Sequence, residues 1–202
     1  MRKNKISKNW IIKQHRDPYF KKSKAQGYRS RSAFKLIEMN KKFKFLHKKT
    51  NLLDLGSFPG GWSQAAREKI FDGKILAIDT KLMEKIERVE FMQGDLLDSK
   101  IEIKIFGFFQ KKIDVVISDM AANTSGNKNL DSYKTGELCL RAMDLALKIL
   151  NKDGVFLSKL FMGSVFEEIN KNAKKYFKKV VKYKPLSSKK ESKEIYIYCK
   201  GI

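Results

Sequence analysis

Apolar residues fall into short unbroken runs along the chain, and between the runs they recur at helical spacing. The runs at 51–55, 74–78, 89–92, 113–118 and 155–160 read as strands, and most of them close on a glycine or an aspartate. Segments 32–42, 62–70 and 132–150 read as helices, as does the face made by Val165, Phe166, Ile169, Ala173, Tyr176, Phe177 and Val180. Ser30 or Ser32 supplies the first N-cap, and Gly154 suits a helix C-terminus or the turn after it. Two last apolar segments, 181–184 and 194–199, flank Ser187-Ser188 and read as an antiparallel pair.

Strands that are apolar throughout, without alternation, are buried on both faces. Their regular exchange with helices predicts an α/β fold, a mostly parallel sheet covered on both sides. Such sheets bind ligands outside the carboxyl ends of their strands. The polar residues at those ends are Asp54, Asp79, Asp95, Asp119 and Lys159. At 202 residues the chain reads as a single domain over 1–202. A basic arm occupies about 1–30, with Trp10, Ile11 and Ile12 ahead of Asp17-Pro18, which reads as a break.

The charge sharpens this picture. Lys and Arg number 44 against 22 acids, a net +22, which points to a polyanion such as nucleic acid or an anionic membrane surface. Only seven of the 44 are Arg, the residue suited to bidentate phosphate grip. The placement of Arg29 and Arg31 beside Lys21, Lys22 and Lys24 therefore says more than the total. No apolar run reaches the length of about 18 needed for a membrane helix, and the first residues lack the apolar core of a secretory signal. An intracellular protein is expected. Cys139 and Cys199 stand apart from each other and from any histidine cluster, so neither a disulfide nor a metal site is expected.

The strongest motif is Asp54-Leu55-Gly56-Ser57-Phe58-Pro59-Gly60-Gly61-Trp62, between a strand and a helix. Glycines there permit a sharp turn and close approach to a ligand, or chain reversal alone. The segment is neither the GxGxxG dinucleotide fingerprint nor a GK[ST] phosphate loop. An acid at the strand end and a proline in the loop suit a cofactor without a pyrophosphate, S-adenosylmethionine. Asp79, 25 residues after Asp54 (79 − 54), is placed for ribose hydroxyls, and Asp95 for an adenine amino group. Each alone also fits a helix N-cap. Lys159 interrupts an apolar strand, where it is costly unless paired, functional or able to reach solvent. Asp119, Glu194 and Lys35 are its candidate neighbours, although spacing alone does not bring the four together.

With these residues in view, the chain resembles the FtsJ family of ribosomal RNA 2′-O-methyltransferases. The matching segments are 27–36, 54–62, Ser118-Asp119-Met120-Ala121 with Ser125-Gly126, 158–161, and Ser187-Ser188 through 192–196, in family order. The resemblance implies a Rossmann-like class I S-adenosylmethionine-dependent methyltransferase fold with a seven-stranded sheet and a C-terminal antiparallel strand. It places a catalytic tetrad on Lys35, Asp119, Lys159 and Glu194. Cofactor contacts fall on Asp54, Gly56, Ser57, Pro59, Gly60, Gly61, Trp62, Asp79, Asp95 and Asp119. Ser57-Phe58 and Ala122 depart from the Ala-Ala and Pro common in relatives, on the methionine side of the loop for the first two.

The activity so implied is methylation of a ribose 2′-hydroxyl, at a uridine, in large-subunit ribosomal RNA. Lys159 would take the hydroxyl proton, Asp119 would orient its ammonium, and Glu194 would position Lys35 or the ribose. Arg29, Arg31, Lys21, Lys22 and Lys24 would hold RNA phosphates, and Tyr28 or Phe34 could stack a base or pack in the core. The same chemistry on tRNA or an mRNA cap, and a catalytically silent assembly factor, are the alternatives. A monomer is expected. The acid-free first ten residues suit an organellar presequence, while the family pattern already begins at about Trp10, so both cytoplasm and organelle stay open.

Overall fold

A computed structural model describes residues 16–122, 126–163 and 165–202. Trp10, Ile11, Ile12 and Ser125 lie outside the described residues.

The chain runs α1 (Pro18–Ala25), α2 (Ala33–Phe43), β1 (Leu52–Leu55), α3 (Gly61–Arg67), β2 (Ile75–Asp79), β3 (Glu90–Gln93) and α4 (Ser99–Phe109). It continues through β4 (Ile113–Ser118), α5 (Lys128–Ile149), β5 (Leu150–Phe161), α6 (Phe166–Tyr176), β6 (Lys179–Tyr183) and β7 (Glu194–Lys200). The seven strands form one sheet in the order β3-β2-β1-β4-β5-β7-β6. β7 pairs antiparallel with both β5 and β6, and every other pairing is parallel.

Unbroken apolar runs are explained by the two cores. Leu53, Leu55, Leu76, Ile78, Val116 and Phe156 face one side, against α4, α5 and α6. Leu52, Ile75, Ala77, Val115, Ile117 and Leu157 face the other, against α2 and α3. Each interior strand thus buries successive residues on opposite faces, so its apolar run is not broken by regular polar alternation. The central strand β1 is buried at all four positions, whereas the edge strand β3 is not fully buried at any.

Three local readings change. Asp17-Pro18 starts a helix instead of breaking the chain: the Asp17 carboxylate accepts from the Tyr19 and Phe20 N–H groups, and Pro18 sits in the first turn, where its missing N–H costs nothing. Helix α4 was not apparent in the sequence pattern. Asp98 caps it, and Ile101, Ile105 and Phe109 form its buried stripe at four-residue spacing. Gly154 does not cap α5, which ends at the extended Leu150 and passes directly into β5. The pairing with β4 shifts between Ile113↔Leu150 and Val115↔Val155, and Gly154 lies in that irregular stretch.

Candidate active site

The carboxyl ends of β1, β2, β4 and β5 open on a cleft of about 710 Å³, within the size range of small-molecule sites. Its wall includes Gly56, Pro59, Asp79, Asp95, Asp119 and Lys159. Gly56 is required on two counts. Its φ of +75° is a left-handed conformation, and a Cβ there would lie 2.5 Å from Met120 Cγ. At Gly61 a Cβ would lie 2.2 Å from Ser30 Oγ, so the glycine loop is pressed between Met120 and the segment entering α2.

The Asp79 carboxylate accepts from the Phe58 N–H at 2.9 Å and the Lys81 N–H at 2.9 Å, clasping the loops that leave β1 and β2. Asp95 accepts from the Leu97 N–H at 3.0 Å and stays exposed at the rim. Five of the expected cofactor residues, Asp54, Ser57, Gly60, Gly61 and Trp62, are not on the cleft wall. Asp54 is fully buried beneath it and accepts from Ser63 Oγ at 2.6 Å. Burial pushes its carboxyl up to about 7, opposed by the Ser63 bond and aided by Asp119 and Asp79. Trp62 donates from Nε1 to the Ser32 carbonyl at 2.9 Å and packs on Tyr196, with ring centroids 5.7 Å apart. These two residues hold the loop in place from behind.

Two lysine–carboxylate pairs gather around Tyr196: Lys159 and Asp119 on the cleft wall, and Lys35 and Glu194 behind it, off the wall. Lys159 Nζ lies 3.0 Å from Asp119 Oδ1 and also donates to the Asp119 carbonyl. Lys35 Nζ lies 2.6 Å from Glu194 Oε1 and 5.7 Å from the Tyr196 ring centroid. Tyr196 joins the pairs, donating its hydroxyl to Asp119 Oδ1 at 2.9 Å. Burial pushes the Asp119 carboxyl up, but Lys159, Lys35 and the bonds from Lys159 and Tyr196 outweigh it and hold the group below its ordinary value. Burial and the nearby carboxylates raise the Tyr196 phenol well above its own. Asp119 is therefore an anion and Tyr196 a protonated donor to it. All four residues expected as a tetrad are within this cluster. Tyr196 had no assigned role in the sequence, although its contact with Asp119 makes it part of the site.

The expected phosphate contacts divide. Lys21, Lys22 and Lys24 are exposed on α1. Arg29 and Arg31 are turned instead to the protein. Arg29 donates to the carbonyls of Glu84 at 2.7 Å, Lys85 at 2.8 Å and Pro59 at 3.3 Å. Arg31 pairs with Asp17 and donates to the Ser187 carbonyl. Tyr28 and Phe34 are buried in the core, and the Tyr28 hydroxyl donates to Glu68. Among the described residues no group of three metal-ligating side chains occurs, and no helix is long and apolar enough to cross a membrane.

Known proteins bear on this arrangement. The family model for the FtsJ-like methyltransferase matches residues 28–202. The chain is 49% identical to ribosomal RNA large subunit methyltransferase E of Pelagibacter ubique, over 99% of this chain and 98% of that protein. It is 41% identical to the protein of the same name from Rickettsia felis, over 95% of this chain and 87% of the relative. A crystal structure from Plasmodium falciparum, assigned as a ribosomal RNA methyltransferase, superposes with a TM-score of 0.79 at 34% identity, covering 87% of this chain and 98% of that one. The strand order, the glycine loop and the paired lysines are thus those of a chain related over nearly its whole length to such enzymes, and it belongs to the FtsJ-like methyltransferase family.

Proposed function

We propose that the protein transfers a methyl group from S-adenosylmethionine to the 2′-hydroxyl of a ribose, at a uridine, in large-subunit ribosomal RNA. The observation that carries this reading is the gathering of Lys159–Asp119 and Lys35–Glu194 around Tyr196 beside the cleft. The names of the relatives from Pelagibacter and Rickettsia support the ribosomal substrate.

The cleft suits the cofactor. Asp79 and Asp95 offer carboxylates to ribose hydroxyls and an adenine amino group, Ile78 and Leu96 offer apolar walls, and Gly56 keeps the floor clear of a side chain. When bound, the cofactor supplies an electrophilic methyl on a sulfonium. A ribose hydroxyl is a poor nucleophile until its proton leaves, so a base must stand beside it. Lys159 takes that proton at Nζ after shedding to solvent the proton it holds in its ion pair with Asp119. The Asp119 carboxylate and carbonyl fix where Nζ points and then hold the resulting ammonium. Tyr196 keeps the Asp119 carboxylate in register. Glu194 fixes Lys35, whose ammonium faces the ribose oxygens and aligns the nucleoside for an in-line transfer. Exposed Lys21, Lys22 and Lys24 take RNA phosphates, while Arg29 and Arg31 brace the segment that carries Lys35.

The test is transfer of labelled methyl from S-adenosylmethionine to purified large subunits, free rRNA and tRNA in parallel, with Lys159→Ala as control. Label in subunits or rRNA that disappears in the variant supports the reading. Label confined to tRNA overturns the substrate, and no label with cofactor still bound overturns the reaction in favour of a silent assembly factor.

A further inference from the structure

The connection between β6 and β7 carries polar groups that none of the roles above uses. It is fastened to α2 by Glu38, whose carboxylate accepts from the N–H groups of Leu186 at 2.7 Å and Ser187 at 3.1 Å. The same carboxylate accepts from the hydroxyls of Ser187 at 3.1 Å and Tyr183 at 2.7 Å. Burial pushes the Glu38 carboxyl upward, yet these bonds outweigh it and hold the group below its ordinary value. Arg31 fastens the same loop from the other side through the Ser187 carbonyl. A loop with four such ties, and a fifth from Tyr183 at the end of β6, is set before any ligand arrives.

Between this loop and the Lys35–Glu194 pair lies a recess of about 190 Å³, walled by Arg31, Ser32, Lys35, Lys189, Ser192 and Glu194. Ser32 also belongs to the wall of the large cleft, so the two spaces adjoin at the catalytic end. The recess is smaller than the roughly 300 Å³ at which pockets begin to hold whole small ligands. It suits one group of a larger molecule.

Its chemistry is that of an oxyanion seat. Arg31 and Lys35 are already paired with Asp17 and Glu194, which cancels the carboxylates. Lys189 is exposed and, among the described residues, takes part in no ion pair, so one positive charge is left over. Arg31 gives its N–H groups to Asp17 and the Ser187 carbonyl, and its Nε is buried, so it lends the recess a wall and no free donor. Ser192 Oγ accepts from the Glu194 N–H at 3.1 Å and keeps its own hydroxyl proton to donate. A singly charged group with two free oxygens satisfies both donors, the Lys189 ammonium and the Ser192 hydroxyl.

We infer that this recess seats a backbone phosphodiester of the substrate strand, the one adjoining the ribose presented to Lys159 and Lys35. The inference rests on the polynucleotide substrate proposed above and adds the β6–β7 loop to the RNA-binding surface. Such a contact fixes the register of the strand against the catalytic lysines.

The experiment is fluorescence anisotropy of a labelled oligouridylate over a range of KCl concentrations, with neither cofactor nor methyl transfer involved. Lys189→Ala is expected to weaken binding about fivefold at low salt. It is also expected to make the slope of log affinity against log salt shallower by about 0.7, the share of one phosphate on a single strand. Lys189→Arg should restore both. Lys190→Ala, which removes an exposed lysine off the recess, should change neither. An unchanged slope in Lys189→Ala, or an equal loss in Lys190→Ala, overturns the inference. Because binding is read without turnover, an RNA that is bound but never methylated sinks the proposed reaction and leaves the recess standing. An unchanged slope beside active methyl transfer does the reverse.

Discussion

The two lysine–carboxylate pairs of the site are built in different ways. Asp119 and Lys159 come directly after Ser118 and Ser158, which are partners across the parallel strands β4 and β5, so sheet register alone sets them side by side. Tyr196 lies opposite Lys159 on the antiparallel neighbour β7, and register delivers it too. Lys35 and Glu194 have no such rail. One sits on α2 and the other opens β7, and their 2.6 Å contact depends on how the helix packs over the sheet and on the loops that hold it. A pair set by register tolerates little displacement, whereas a pair set by packing inherits every change in the helix.

Removing each lysine in turn should separate the two constructions. Lys159→Ala is expected to lower methyl transfer about 10³-fold while cofactor affinity by calorimetry stays within about twofold. Lys35→Ala should lower transfer less, about 10²-fold, but should cost about 3 kcal/mol in urea denaturation, because Glu194 is left largely buried without its partner. Adding Glu194→Gln to Lys35→Ala should return most of that stability and none of the activity. Equal activity losses in the two single variants would erase the distinction. A smaller effect is expected from Tyr196→Phe, which removes one bond to Asp119: about 1 kcal/mol of stability and less than about tenfold in rate.

A further expected effect is one of pH. Asp54 has its carboxyl raised from 3.8 to about 7 in the folded protein, so between those values the native state binds the extra proton. Its contribution to stability is complete below about pH 3.8 and is lost as pH rises to about 7. Asp119, held below its ordinary value, has the opposite sign: its contribution is present above the unfolded value and is lost as pH falls. Asp54→Asn keeps an acceptor for Ser63, and urea midpoints measured across this range should lose the downward slope that Asp54 causes. An unaltered slope would assign it to other groups.

The legible parts of the molecule are those that local rules determine. Strand ends at Asp79 and Asp119, the glycine loop and the terminal antiparallel pair could all be read from runs, breaks and spacing. Helix α1 was hidden because Asp-Pro reads as a break until the Asp17 carboxylate is found capping the N–H groups of Tyr19 and Phe20. α4 was hidden because its buried stripe is only Ile101, Ile105 and Phe109, set among other apolar residues such as Ile103 and Phe106 that face outward. Within the site, Arg29 and Arg31 looked like surface cations. Their carbonyl partners come from segments distant in sequence, and no pattern announces such contacts. Glu38 went unnoticed for the same reason, since its four donors all lie near residue 185.

The placement of β7 has a consequence for how the protein comes into being. It is the last strand in chain order, yet it lies inside the sheet, between β5 and β6, and it carries both Glu194 and Tyr196. Vectorial synthesis therefore delivers the cofactor half of the cleft long before the catalytic end can close. A nascent or prematurely terminated chain lacking this strand leaves Lys35 without its carboxylate, Asp119 without its phenol and two strand edges unpaired. Catalytic competence therefore waits on the synthesis of this one strand.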